Sequence, residues 1–127
     1  MASAIRMNLS GCTDGKPLKI AATGSPGTLV HTATSSATRG AGGTWDEVWV
    51  WAYNASAVSV SASSLLMRVQ FGAATNPDNL IEVTLPCACG PFLIVPGLVL
   101  QNSTVVRAYG GGANLFTVFG FVNRITN

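Results

Sequence analysis

Residues 45–53 read Trp45-Asp46-Glu47-Val48-Trp49-Val50-Trp51-Ala52-Tyr53, and they hold all three tryptophans and one of the two tyrosines of the chain. At a period of two, Trp45, Glu47, Trp49, Trp51 and Tyr53 fall on one side, and Asp46, Val48, Val50 and Ala52 on the other. Both sides are largely apolar, as in a strand central to a packed sheet, or one with a face in the core and a face against a partner. The aromatic side has three readings at this point: core, oligomer or partner interface, or sugar platform. Because Asp46 and Glu47 are sequence neighbours on a strand, they point to opposite sides and cannot form a carboxylate pair. Glu47, set among tryptophans, is expected either to have its pKa raised by desolvation or to be paired with an arginine or an interface.

Working outward, the chain is read as a series of short strands. On the N-terminal side, residues 1–15 are expected to form an irregular arm ending in the turn-like SGCTDG. KPLKIAA (16–22) is a short strand confined by Pro17 to an edge or a strand start. In TLVHTATS (28–35), alternation puts Leu29, His31, Ala33 and Ser35 opposite Thr28, Val30, Thr32 and Thr34. On the C-terminal side, AVSVSASS (57–64) is expected to form a hairpin with the tryptophan strand. LLMRVQF (65–71) turns Leu65, Met67, Val69 and Phe71 inward, and LIEVTL (80–85) sets Ile81, Val83 and Leu85 opposite Leu80, Glu82 and Thr84. FLIV and LVL are two short runs with a tight turn at Pro96-Gly97. STVVRAY (103–109) and residues 115–125 complete the set.

Nowhere is a helical period sustained. Eight to ten strands with regular turn signals predict an all-β fold, a single β-sandwich of jelly-roll type over 16–127, preceded by the 1–15 arm. A chain of 127 residues has room for one such domain.

Composition narrows the function classes. Charged residues make up 9% of the chain, against roughly 25% in an ordinary soluble domain. The polar surface must come instead from 11 Ser, 12 Thr and 8 Asn, and a β-chain of this kind suits an assembly whose subunits cover one another. The net charge is +2, but Arg6, Lys16, Lys19, Arg39, Arg68, Arg107 and Arg124 are scattered, so the cation cluster that phosphate binding requires is missing from the linear order and no nucleic-acid partner is expected. With no apolar run long enough for a signal peptide or a membrane span, the chain is expected to be made in the cytoplasm and to have no membrane partner. The sequons at Asn8, Asn54 and Asn102 then carry no consequence.

A search for chemistry finds little. His31 is the single histidine. Cys87-Ala-Cys89 lacks the spacing of a zinc knuckle, and Cys12, Cys87 and Cys89 are expected to be thiols without metal. Neither a nucleophile elbow nor a phosphate-loop lysine is present. Asn76, Asp78 and Asn79 lack the alternating ligand pattern of a calcium loop. The expectation is no enzyme, no cofactor and no metal.

The segments WDEVWVWAYN (45–54), GPFLIVPGLVLQNSTVVRAY (90–109) and FGFVNRITN (119–127) together resemble the small β-proteins encoded among the head genes of tailed bacteriophages, including capsid decoration (cement) proteins. The resemblance runs from Trp45 onward and transfers no functional residue one by one. It implies a virion structural protein on the capsid surface, a homo-oligomer and most simply a trimer, whose partner is the major capsid protein. Two other functions fit the residues: a carbohydrate- or receptor-binding module of a phage spike or tail, since tryptophans that share a face are sugar platforms, and a head-to-tail connector component. The candidate oligomer or partner interface is Trp45, Glu47, Trp49, Trp51 and Tyr53.

Overall fold

In the computed structural model, which describes residues 2–56, 64–87 and 90–127, nine strands build two antiparallel sheets packed face to face. They are β1 (Ser3–Asn8), β2 (Leu18–Ile20), β3 (Thr28–Thr32), β4 (Thr44–Asn54), β5 (Ser64–Phe71), β6 (Leu80–Pro86), β7 (Phe92–Leu100), β8 (Val105–Gly110) and β9 (Phe116–Thr126), with one short 3-10 turn at Thr13–Gly15. Sheet A has the order β1-β9-β4-β7, and β2 also pairs with β9. Sheet B has the order β3-β8-β5-β6. If β1 and β2 are counted as the two halves of one interrupted strand, the eight strands alternate between the sheets except for the β5–β6 hairpin within sheet B, the double Greek-key pattern of a jelly roll.

The alternation read along β4 explains why this strand is central. Asp46, Val48, Val50, Ala52 and Asn54 are buried, and the intervening residues are only partly covered. The buried side faces sheet B, where Val30, Met67, Val69, Leu85, Val106 and Ala108 meet Val48, Val50, Val95, Phe116, Val118 and Val122 in one core. Valine dominates this interior, a β-branched side chain that suits the packed face of a strand.

Several expectations are corrected. The arm expected at 1–15 is not irregular: Ser3–Asn8 pairs with β9 from Thr126 to Phe121, extending sheet A by a strand. The isolated stretch SAIRMN carries little strand signal of its own, and what orders it is the free edge of β9. From there Leu9, fully buried, enters the core, and the backbone of Gly11 bonds to Val30 on β3, closing one side of the sandwich. The tight turn at Pro96-Gly97 is instead a bulge within the continuous strand β7, whose register against β4 slips between Val48 and Trp49. Proline is tolerated there because β7 is an edge strand. Among the described residues the neighbours of β4 are β9 and β7; the hairpin expected for AVSVSASS falls on residues 57–63, which lie outside the described residues.

Candidate functional site

The outer face of sheet A gathers the aromatic side chains. Trp45, Glu47, Trp49, Trp51 and Tyr53 all lie on it, partly buried. Opposite them on β9 are Ile125, Asn123, Phe121, Phe119 and Thr117 in register. Alternation in FTVFGFVNRI is the signal that puts Phe119 and Phe121 on one side, but their partnership with the tryptophans depends on a pairing that the sequence does not show. Across β4, the rings form a ladder. Trp49 stacks with Trp51 (centroids 6.4 Å apart) and with Phe121 (6.1 Å), and Trp51 stacks with Phe119 (6.0 Å). Offset stacks of this kind each add about 0.5–1.5 kcal/mol beyond the area they bury. They also turn ring faces toward one another. The Arg6 guanidinium lies over the Phe121 ring, its carbon 4.4 Å from the ring centroid.

The β7 bulge shapes the other side of the ladder. Gly97 has φ +77, and a Cβ there would stand 2.9 Å from Cζ2 of Trp49. The indole therefore lies across bare backbone, for which glycine is the residue that serves on both counts. Beyond it, Leu93, Pro96 and Val99 on β7 continue the apolar strip into solvent.

One polar group interrupts the ladder and is satisfied within it. Trp49 Nε1 donates to Glu47 Oε1 at 2.7 Å, and Asn123 Nδ2 donates to the same oxygen at 3.0 Å. Arg6 Nε in turn donates to Asn123 Oδ1 at 3.4 Å. The bond from the Trp49 indole, followed by that from Asn123, holds the Glu47 carboxyl below its ordinary value and outweighs the desolvation that acts to raise it. This corrects the expectation of a raised pKa for Glu47, and the partners it has within the chain are an indole and an amide in place of an arginine.

Beneath this face lies a second cluster, between the sheets. Asp46 is fully buried and accepts bonds from Arg124 Nε (2.7 Å), Arg124 Nη2 (2.9 Å), the Thr34 backbone N–H (3.0 Å) and His31 Nε2 (2.9 Å). Alternation along β3 put His31 opposite Val30; in the structure the register shifts between Leu29 and His31, a bulge that buries both Val30 and His31. The Ser10 backbone N–H donates to His31 Nδ1 at 3.1 Å. Nδ1 is therefore the acceptor and Nε2 carries the proton, so a neutral imidazole donates to Asp46. Geometrically this is a histidine–aspartate pair. Sealed from solvent, with its other nitrogen held by a backbone amide, it has no nucleophile to activate and ties β3, β4, β9 and the segment after β1 together.

The remaining sites are sparse. Among the described residues no group of His, Cys, Asp and Glu could hold a metal ion, no pocket opens, and no helix is long and apolar enough to cross a membrane. Cys12 and Cys87 are free thiols, with burial raising the pKa of Cys12; Cys89 lies outside the described residues. No protein family, curated protein or solved structure matches this chain.

Proposed function

We propose that the chain is a virion structural protein of a tailed bacteriophage, a capsid decoration (cement) protein that binds the outer surface of the shell, contacts the major capsid protein and reinforces the assembly. The observation that carries this reading is the outer face of sheet A, a broad apolar strip in which Glu47 and Arg6 are already engaged within the chain and Lys19, at the β2 margin, is the exposed charge. A surface of this kind gains by burial against another protein and offers little to a charged ligand. The segments that resemble decoration proteins support it as well, since they fall on β4, β7, β8 and β9, three of which are strands of sheet A.

The carbohydrate-binding alternative has less behind it. A sugar stacks on an exposed ring face, and the faces of Trp51 and Phe121 are directed at neighbouring rings or at Arg6. The connector alternative calls for more helix than this strand order contains.

Mechanistically, a protein that binds only the assembled shell stabilises it by about 2.7 kcal/mol per site at a hundredfold excess over Kd. Many sites acting together would resist internal pressure and heat. The test is to add the purified protein to undecorated phage capsids and measure bound copies and heat resistance at low and high salt. Saturable binding that survives high salt and raises the disruption temperature is the expected result. A protein that binds no capsid but retains on a glycan column would overturn the proposal in favour of the receptor-binding module.

A further inference from the structure

The segment that follows β1 crosses from sheet A to sheet B and covers His31. Leu9 is fully buried in the core, whereas Ser10 is exposed and Gly11 and Cys12 are half-buried. Three hydrogen bonds tie this strap to β3: the Ser10 N–H donates to His31 Nδ1 (3.1 Å), the Gly11 N–H to the Val30 carbonyl (2.9 Å), and the Thr32 N–H to Ser10 Oγ (2.8 Å). The fit is close. A Cβ on Gly11 would stand 2.7 Å from the Val30 carbonyl oxygen, so the strap lies directly on the β3 backbone. Of the three bonds, the one from Ser10 ends on a titratable group.

We propose that the strap Leu9–Cys12 is a proton-operated latch: protonation of His31 at Nδ1 sets donor against donor across the Ser10 contact and drives the strap off β3. The neutral ring has one lone pair to offer, on Nδ1, and the Ser10 N–H occupies it. An imidazolium has two donors and no acceptor. The closed strap therefore admits a second proton only by giving up that bond, and leaves the new N–H without an acceptor on a ring that is 2% exposed. Once the strap lifts, water accepts from it.

The charged groups around the ring do not change the sign. Asp46 on β4 and Arg124 on β9 sit on the Nε2 side. Neither strand belongs to the strap, so the attraction of Asp46 for an imidazolium and the repulsion from Arg124 act in the closed and open forms alike, and to first order cancel from the difference. On β8 the residues opposite His31 and Thr32 are Val106 and Val105, while Arg107 lies opposite Leu29 and donates to the Gly27 carbonyl. On the strap the titratable group is the Cys12 thiol, which burial keeps neutral, and beyond it Asp14 and Lys16 are exposed. What differs between the two forms is the contact at Nδ1, and with the ring charged it favours the open one. Taking up one more proton on opening shifts that equilibrium toward the open form by up to about tenfold per pH unit of acidification. Opening draws Leu9 from the core and leaves β1, exposed at every residue, joined to the body through β9 alone.

The test uses the full chain, whose single histidine makes the ring resonances of His31 unambiguous. Amide exchange is followed by NMR from about pH 7.5 to about pH 4.5, an interval that spans the ordinary imidazole value of about 6.5 and stops above the ordinary carboxylate values of about 3.9–4.3. Protection of the Ser10, Gly11 and Thr32 amides, corrected for intrinsic rates, should fall tenfold or more in step with the ring titration, while the amides of β4 keep theirs. His31→Asn puts a carbonyl oxygen in the place of Nδ1, so that Ser10 keeps an acceptor that does not titrate, and protection should become level with pH. Ser10→Ala, at an exposed position, loses the bond from Thr32 and should lower protection at every pH while keeping the pH dependence. Level protection in the unmodified protein overturns the inference, as does a fall that persists in His31→Asn. Loss of protection in β4 together with the strap also overturns it, because the event is then unfolding of the whole body. If His31→Asn fails to fold, the ring decides: an imidazole that takes up its proton while Ser10 and Gly11 stay protected shows that there is no latch.

Discussion

Arg124 holds Asp46 with both arms of its guanidinium fork, Nε on Oδ1 at 2.7 Å and Nη2 on Oδ2 at 2.9 Å, at a carboxylate with no exposed surface. Burial is the largest single influence on Asp46 and acts to raise its pKa, but the bonds from Arg124 and His31 together outweigh it, and the carboxyl is held below its ordinary value. Such a group binds its proton less tightly folded than unfolded. Its contribution is therefore present above the unfolded pKa of about 3.9 and is lost as pH falls through the lower folded value.

The first prediction follows from that sign. Asp46→Asn leaves Arg124 and His31 facing a neutral amide, and should cost about 3–5 kcal/mol at neutral pH, the usual result of removing one partner of a buried pair. Thermal melts from pH 7 down to acid should show the unmodified protein losing stability below about pH 4, and the variant, weaker throughout, losing less over that interval. An unchanged acid limb in the variant would show that other carboxylates control it.

Glu47 supplies an optical prediction. Because the Trp49 indole donates to its carboxylate, protonation weakens that bond and should change tryptophan emission. The lowered pKa places the midpoint below the ordinary glutamate value of about 4.3. Glu47→Gln should abolish the transition while leaving the fold intact. A midpoint above the ordinary value would mean that desolvation prevails over the hydrogen bonds.

At the β7 bulge, Gly97→Ala must place a side chain both at positive φ and against the Trp49 ring. The expected cost is about 1–3 kcal/mol, visible as a fall of several degrees in Tm. Gly24→Ala, where a Cβ meets open space, is the control and should change little. Equal losses in the two variants would remove the indole contact from the explanation.

How far the sequence could be read follows from which forces are local. Alternation along β4 was legible because each of its faces meets a different environment: Val48 and Val50 enter the core, and Trp49 and Trp51 lie on the outer face. Met67 and Val69 on β5 were legible for the same reason, and both are buried. The strand at Ser3–Asn8 was not, because the edge of β9 that orders it lies more than a hundred residues away. Likewise Pro96-Gly97 carries turn chemistry, and only the continued pairing of Leu98 with Val48 reveals it as a bulge. His31 was misplaced because a single extra residue, Val30, inverts alternation beyond it. In the candidate site the five β4 residues were found, and Phe119, Phe121 and Arg6 were missed, since each joins the ladder through strand pairing.

The last prediction separates β1 from the residue that follows it. Every residue of Ser3–Asn8 is exposed, and the strand is held through β9 on one side alone. Leu9 is different: it is fully buried in the core, and the next residue, Ser10, gives its N–H to His31. A chain lacking residues 2–7 should therefore keep its far-ultraviolet spectrum and most of its melting temperature. Leu9→Ala in the intact chain should instead cost about 2–5 kcal/mol from the cavity left between the sheets. A deletion of residues 2–12 should be worse still, because it strips Nδ1 of the buried His31 of its donor as well as emptying the Leu9 site. These variants also sharpen the capsid assay. If the 2–7 deletion folds and still binds shells, β1 is not needed for the contact and the aromatic face of β4 and β9 is left to make it. Should the 2–7 deletion unfold as readily as the 2–12 deletion, β1 contributes to the stability of the body, and its reading as a separable edge strand is wrong.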